Sequence, residues 1–279
     1  MAVVRSHQRP FKVFVYIALT LICAAMLLPI AWMLVASLQG AGVPSSGFFP
    51  SPAELTLDAY REVFRTMPFG RWYLNSLVSA TASMVIVLAM SIGSSYALAR
   101  LPFRGKRFYA VSIVSLQLLP GVILAIPLYV LLANLGLLNT RHGLVITLVA
   151  HSLPFAVWLL WSYLRGVPPE IEEAALIDGA NRWQVVVRII VPLSLPGIVT
   201  VGLFSFVRSW EEYLYPLLIT PSDDITTLTV GASRLTGSQS ILWGQLMAYS
   251  TMMIIPMFVI FMFAQRYLLS GMTIGAVKG

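Results

Sequence analysis

The chain has 279 residues, of which 58% are hydrophobic and only 10% are charged, and its formal net charge is +7. Soluble domains carry about 25% charged residues, so this composition excludes an ordinary water-soluble domain and indicates a protein that lies largely within a bilayer. The positive charge is typical of membrane proteins, whose cytoplasmic loops collect Lys and Arg. We find no basic tract with interleaved aromatic residues that would indicate binding to nucleic acid.

Six stretches of the chain are long and apolar enough to cross a bilayer as helices. A spanning helix needs about 20 apolar residues, because its backbone must satisfy its own hydrogen bonds within the hydrocarbon. We therefore predict an all-α, polytopic, multi-pass membrane protein with one spanning domain over residues 13–268. The predicted spans are 13–38, 72–99, 108–133, 144–164, 193–220 and 245–268.

The distribution of Lys and Arg predicts the orientation of these spans. Positive charge concentrates most strongly in short cytoplasmic loops, and the short turn 100–107 alone holds four Lys and Arg residues. This turn is cytoplasmic only if the amino terminus is also cytoplasmic. Residues 1–12 and 269–279 are then predicted to be the two cytoplasmic tails.

Proline and glycine predict an irregular third span. Pro120-Gly121 is followed by Pro127, and a proline inside a helix removes a backbone donor and clashes with the preceding turn. The pattern fits a simple kink, and it fits equally a broken helix that lines a cavity, as in many transporters.

The segment 166–192, after the fourth span, predicts two short helices joined by a sharp turn. Pro169 suits the start of the first helix, and Gly179 can adopt the positive φ that ends it. Asn181 and Gln184 match a capping box at the start of the second helix. This local pattern fits both a plain link between two spans and a docking surface.

The residue string of this hairpin resembles the EAA signature of binding-protein-dependent transporter permeases. The matching residues are Glu173-Ala-Ala-x-x-Asp-Gly-Ala180, then Ile190-x-Pro-Leu193 and Pro196. Two further segments, the Arg104-Gly-Lys106 turn and the carboxyl-terminal run from Leu242 to Gly279, resemble the maltose-type permeases within that family. The resemblance covers almost the whole chain.

The resemblance implies a non-catalytic permease subunit of an ATP-driven importer, in a prokaryotic plasma (inner) membrane, for a sugar or related polyol. Its expected partners are a second permease subunit, two ATPase subunits and an extracytoplasmic substrate-binding protein. The chain contains no Gly-x-x-x-x-Gly-Lys-Ser/Thr motif to hold ATP phosphates. ATP and Mg are therefore expected on the partner ATPase, and no cofactor is expected on this chain. No metal site is expected either, since its three histidines are scattered.

In this family the hairpin is the helix that docks in a cleft of the ATPase. The resemblance therefore assigns that contact to Glu173, Ala174, Ala175, Asp178, Gly179 and Ala180. Two adjacent alanines, Ala174 and Ala175, leave a shallow surface that another backbone can approach closely.

The resemblance also implies that the carboxyl-terminal tail inserts between the two ATPase subunits. The residues expected to make this contact are Gly271, Gly275, Ala276 and Lys278. By itself the segment 270–279 is too short and too rich in glycine to form a helix.

The fifth span contains charged residues that need an explanation. A charge at the bilayer centre costs at least about 2.5–3.5 kcal/mol on insertion scales. Arg208 lies three and four residues before Glu211 and Glu212, so a helix would place either carboxylate beside the guanidinium. The cluster fits an internal salt bridge, and it fits equally a polar wall of a translocation path, where Trp210, Tyr213 and Tyr215 offer rings that can stack on a sugar. Sugar permeases of the family commonly carry Asn at the position of Glu211. An arginine at the position of Arg208 is also unusual in these permeases.

The outer segment 221–244 is long and polar. In the maltose-type family the loop between the last two spans reaches into the binding protein. The resemblance assigns that contact here to Asp223, Asp224, Thr226 and Arg234. A solvated linker is the alternative.

Two other functions remain open on the sequence. Importers of glycerol phosphate or phosphodiesters share the same motifs. An ion- or proton-coupled secondary transporter would use Glu211 and Glu212 as coupling residues. The chain lacks the evident inverted repeats of many such transporters, and a secondary transporter has no use for a docking hairpin.

Overall fold

The computed structural model describes the backbone of residues 8–40, 54–236 and 241–276, and the side chains of residues 12–40, 54–236 and 241–267. These residues form helices joined by short loops, which agrees with the all-α prediction. The helices are α1 (Gln8–Ser37), α2 (Asp58–Thr66), α3 (Phe69–Arg100), α4 (Lys106–Leu118), α5 (Gly121–Asn134), α6 (Arg141–Leu164), α7 (Glu170–Ile177), α8 (Arg182–Val185), α9 (Val191–Leu193), α10 (Leu195–Glu211), α11 (Leu214–Ile219), α12 (Leu228–Ser233) and α13 (Trp243–Ala276), with a π-helical stretch, Val186–Ile190, between α8 and α9.

Four of these helices, α1, α3, α6 and α13, are long and apolar enough to cross a membrane. Two bent pairs raise the number to six if each pair is one span: α4 with α5, and the stretch Arg182–Leu193 with α10. Within the described residues this agrees with the prediction of six spans, although the fifth is not the continuous helix that we expected.

The described chain forms two compact units, one from the described parts of 1–68 and 232–254, the other from 69–231 and 255–279. In the first unit α2 packs beside the end of α1. Ser37 Oγ and Tyr60 OH share a hydrogen bond of 2.7 Å, and Ala59 and Val63 of α2 are fully buried.

The second unit is centred on the mutual packing of α3, α6 and α10. Its main apolar cluster consists of Val87, Val149, Ala156, Leu160 and Val201. Small residues let these helices approach closely: a Cβ at Gly197 would lie 2.8 Å from the ring of Tyr163. Small residues at helix contacts are typical of membrane bundles, where packing rather than water exclusion drives association.

The third span is broken, not merely kinked, at the position that the prolines predict. α4 ends at Leu118, α5 begins at Gly121, and the two helices are bent by 107°. The ring of Pro120 disfavours continuation of α4, whereas Pro127 is accommodated inside α5.

The helices at both ends of the spanning domain extend beyond their apolar stretches. α1 begins at Gln8, and its apolar stretch Lys12–Ser37 lies close to the predicted span 13–38; the corresponding stretch of α13 is Trp243–Tyr267. α13 continues through Ala276, so residues 270–276 are helical as the end of a longer helix, although the segment alone is too short to form one. The physical reason is that these residues extend an existing helix and avoid the cost of nucleation. Residues 1–7 and 277–279, including Lys278, lie outside the described residues.

Candidate functional site

The hairpin between the fourth and fifth spans folds as its local sequence predicts. α7 begins after Pro169 and ends at Asp178, and Gly179 follows with φ +87°, a conformation that favours glycine. Asn181 Oδ1 then accepts from Gln184 N at 2.9 Å, and Gln184 Oε1 accepts from Asn181 N at 2.8 Å. This reciprocal capping box starts α8.

One face of the hairpin packs against the spanning helices. Tyr96, Leu164, Val185 and Ile190 form a buried cluster, and Ala175 and Ala180 are partly buried against it. Ala175 is of intermediate exposure, so it packs against this cluster and also borders the open face, and Ala180 has the same intermediate exposure. Both residues sit where the hairpin needs small side chains to lie close to α3 and α6.

Glu172 has a different position from the other first-turn glutamates. Its carboxylate forms a largely buried ion pair with the guanidinium of Arg100, the last residue of α3. Arg100 Nη2 also donates to Val167 O at 2.6 Å. The pair fixes the start of α7 to the end of a spanning helix.

The opposite face of the hairpin is exposed. Glu173, Ala174, Asp178 and Gly179 lie on it, as a docking surface requires. Ile177 and Trp183, on the two sides of the turn, are 86% and 75% exposed. Sequence reasoning missed these two, although large apolar side chains flanking an exposed turn signal a contact site, because aromatic anchors are enriched at interfaces.

A second polar cluster lies between the fifth and fourth spans. Arg208 Nη2 donates to His151 Nε2, and Glu212 Oε2 lies 3.5 Å from the same nitrogen. Within the described residues Arg208 forms no ion pair within 4.0 Å with Glu211 or Glu212. The predicted direct pairing was therefore wrong: Arg208 donates to the lone pair of His151 Nε2 instead, which leaves that nitrogen without a proton for Glu212.

The reason is a break in the fifth span. α10 ends at Glu211, and Glu212 is extended, with φ −64° and ψ 128°. Pro216 lies four residues after Glu212, so its ring would clash with the Glu212 carbonyl in a continuous helix. That carbonyl accepts instead from Thr229 Oγ1 at 2.6 Å.

The Glu212 side chain satisfies the first turn of the next helix. Its Oε1 accepts from Leu214 N at 3.0 Å and from Tyr215 N at 3.4 Å. The carboxylate thereby neutralises the unsatisfied amides at the start of α11. Its negative charge is anchored to the backbone and does not reach Arg208 directly.

A cavity of about 440 Å³ adjoins this cluster. The break in the third span supplies one wall, through Gln117 and Gly121, and His151 and Arg208 supply another. The broken helix therefore does line a cavity. The rings of Phe155 and Phe204, with centroids 4.0 Å apart, contribute an apolar wall.

The remaining residues predicted for a translocation path do not share one environment. Trp210 is only 2% exposed, stacked beside Phe206 and edge-on to Tyr73, so the expectation that its ring faces a solute was wrong. Its bulk is used in helix packing. Glu211 and Tyr213 are exposed, but neither lines the cavity.

The outer segment is held to the start of α3 rather than extended. Asn75 Nδ2 donates to Asp224 O at 2.8 Å and to Thr226 O at 3.1 Å. The Asp224 carboxylate pairs with Arg71 at the surface. Thr226 is 0% exposed, so its assignment to a partner contact was wrong.

Asp223 and Asp224 do lie at the surface, as a contact with a partner requires. Arg234 belongs to the other compact unit, and its side chain is exposed. The predicted contact set is thus reduced to these three residues.

Comparison with known proteins agrees with this architecture. Residues 86–274 match the family model described as "Binding-protein-dependent transport system inner membrane component". The chain is 36% identical over 268 residues to the inner membrane ABC transporter permease protein YcjP of Escherichia coli K12, covering 95% of each chain. It is 32% identical over 274 residues to the trehalose/maltose transport system permease protein MalG of Thermococcus litoralis, covering 96% of this chain and 97% of the relative.

A solved structure has the same fold. It is a chain of a bacterial ABC transporter involved in the import of the acidic polysaccharide alginate. The TM-score is 0.77 at 23% identity, over 94% of this chain and 98% of the other.

Proposed function

Since the chain belongs to the family of binding-protein-dependent transport system inner membrane components, we propose that it is one permease subunit of an ATP-driven importer for a saccharide. It is an all-α, polytopic membrane protein of that family. A saccharide is supported by the trehalose/maltose transport named for one relative.

The observation that carries the proposal is the exposed face of the hairpin. Ile177 and Trp183 are exposed on this face of the chain, and large apolar side chains of this kind are the anchors that a docking surface needs. Glu173, Ala174, Asp178 and Gly179 surround them with polar and small groups. This face docks on the cytoplasmic ATPase subunit that binds ATP and Mg, and this chain itself hydrolyses nothing.

The remaining assembly follows from the same assignment. The chain pairs with a second permease subunit, and each permease docks on one of two ATPase subunits. Both termini are cytoplasmic, so the segment that contains Asp223, Asp224 and Arg234 faces the extracytoplasmic binding protein. The carboxyl-terminal extension of α13, with Gly271, Gly275 and Ala276, reaches toward the ATPases.

Copurification tests the docking face. A tagged chain is expressed with its partner subunits, and the ATPase recovered per tagged chain is measured for the wild type, Trp183→Ala and Trp243→Ala. Loss of an anchor of about 2 kcal/mol lowers affinity roughly thirtyfold, so Trp183→Ala should lose most of the ATPase. Trp243, an exposed tryptophan at the start of α13, should be neutral. Equal recovery with all three chains would contradict docking through this face.

A further inference from the structure

We infer that the cavity beside Arg208 is a subsite for the anionic oxygens, carboxylate or phosphate, of a polyhydroxylated solute. The inference rests on the proposed function and names the chemical class that this part of the path accepts. The subsite lies on this chain itself, between the break that separates α4 from α5 and the last turn of α10, which contains Arg208.

The cavity wall carries positive charge. Arg208 lines the cavity, and the described lining residues include no aspartate or glutamate. The one carboxylate in the cluster, on Glu212, accepts from two backbone amides through Oε1, and its Oε2 lies 3.5 Å from His151 Nε2. The cavity therefore meets the positive end of the cluster and not its negative end.

Arg208 has N–H donors that are not used in hydrogen bonds to the described residues. A guanidinium has five N–H donors and no acceptor. Among the described residues, Arg208 donates one hydrogen bond, to His151 Nε2, and its Cζ lies 5.8 Å from the ring of Phe204. The fork that matches a carboxylate or phosphate in a bidentate manner is thus still available.

The polar side chains that line the cavity offer more hydrogen-bond donors than acceptors. A neutral sugar presents hydroxyl groups, which need acceptors as well as donors. Of the polar side chains that line the cavity, Arg208 only donates, His151 already accepts from Arg208, and Gln117 supplies one amide oxygen. Among these side chains donors outnumber acceptors, which suits a ligand that is rich in acceptor oxygens.

The remaining walls fit the rest of such a solute. Phe155 and Phe204 provide an apolar surface for the C–H face of a sugar ring. Small-molecule binding pockets typically have mostly apolar walls and a few polar groups that fix the orientation of the ligand. In surroundings of low dielectric constant, the attraction between Arg208 and an anion is stronger than in water.

The test uses the complete transporter in lipid nanodiscs and three probes on one scaffold: glucose, glucuronate and glucose 1-phosphate. Saturation-transfer NMR measures weak binding of each probe. We expect at least one of the two anions to bind at least about tenfold more tightly than glucose, as for a hydrogen-bonded charge. The difference between the two anions tells a carboxylate subsite from a phosphate subsite. Binding of glucose equal to both anions, or no binding of any probe, overturns the inference.

Variants locate the binding. Arg208→Gln should abolish the preference for the anion, and Arg208→Lys should retain part of it. Arg104→Gln removes the same charge from an exposed turn and should leave the preference unchanged. A preference that survives in Arg208→Gln places the anion elsewhere and overturns the inference. The comparison of probes on the wild-type complex needs no variant, so it decides even if Arg208→Gln does not assemble.

The outcome is separable from the proposed function. A complex that carries out ATP-driven uptake but does not discriminate among the probes contradicts the subsite and leaves the importer assignment standing. A complex that binds the anions but shows no ATP-driven uptake contradicts the importer assignment instead.

Discussion

Arg100, the last residue of α3, forms a largely buried ion pair with Glu172, in the first turn of α7. The same guanidinium holds the carbonyl of Val167, in the segment that precedes the hairpin. Two bonds from one side chain therefore connect a spanning helix to both sides of the start of α7. The position of α7 is therefore tied to α3 by side-chain bonds as well as by the connecting chain.

We predict that Glu172→Gln loosens the hairpin. Removing one member of a buried pair leaves the other charge uncompensated, at a cost of about 3 kcal/mol. Hydrogen exchange of the amides of α7 and α8 should accelerate, and ATPase stimulation should fall. Glu170→Gln is the control, because Glu170 lies in the same turn but is exposed. Equal exchange in the two variants would show that the ion pair does not position the hairpin.

Gly179→Val is predicted to uncouple transport from ATP hydrolysis while membrane insertion persists. At φ +87° a Cβ meets its own backbone, which costs about 1–2 kcal/mol, and a branched side chain adds to this. The turn that sets the angle between α7 and α8 would change. The ratio of solute transported to ATP hydrolysed should fall.

The matched control for that variant is Gly70→Val. Gly70 lies in the first turn of α3, and an added Cβ there meets no atom within 4 Å. Normal coupling in Gly179→Val would mean that the hairpin tolerates another turn, and its role as the coupling element would be lost.

The outer segment yields a third prediction. Asn75→Ala removes two hydrogen bonds to the backbone of 224–226, each worth about 1 kcal/mol. Protease cleavage within 221–231 should become faster, and the concentration of binding protein for half-maximal ATPase stimulation should rise. The control is Asp224→Asn, which breaks only the surface pair with Arg71, worth at most about 1 kcal/mol. If Asp224→Asn releases the segment as much as Asn75→Ala does, the buried amide is not the anchor.

The burial of Thr226 and Leu228 changes what a larger deletion tests. Shortening 226–238 removes packed residues, and a loss of stability is expected as well as a loss of partner contact. Point substitutions at Asp223 or Arg234 test the contact without disturbing the packing.

Deletion of 271–279 is predicted to lower ATPase assembly or stimulated hydrolysis without affecting insertion of the spans. The backbone is helical through Ala276, so residues 271–276 continue α13 as helix. Its protection from protease should appear only when the ATPase is present. Full-rate uptake by the truncated chain, with cleavage that is equal with and without ATPase, would contradict this contact.

Local sequence was sufficient to predict the hairpin turn and the position of the irregularity in the third span, although it did not decide between a kink and a break. Gly179, the Asn181–Gln184 box and Pro120 act through neighbours within four residues, so their effect does not depend on the rest of the fold. The break after Glu211 could also have been predicted from the sequence, because Pro216 lies four residues after Glu212. We instead assumed one continuous helix when we predicted the pairing of Arg208 with the two glutamates.

The partner of Arg208 was not within reach of local reasoning. His151 lies 57 residues earlier in the chain, and only the packing of α10 against α6 brings the two together. The inward orientation of Trp210 and the partial burial of Ala175 have the same origin. Both residues suit a surface by type, and their burial is decided by the elements that pack on them.

ATP-driven uptake tests the account most directly. The complete transporter is reconstituted in proteoliposomes with ATP inside, and a labelled saccharide is supplied outside with its binding protein. We predict uptake that requires both ATP and the binding protein, persists with a protonophore, and is lost in Gly179→Val but not in Gly70→Val. Uptake that is independent of ATP and abolished by the protonophore would contradict the account and indicate a proton-coupled transporter.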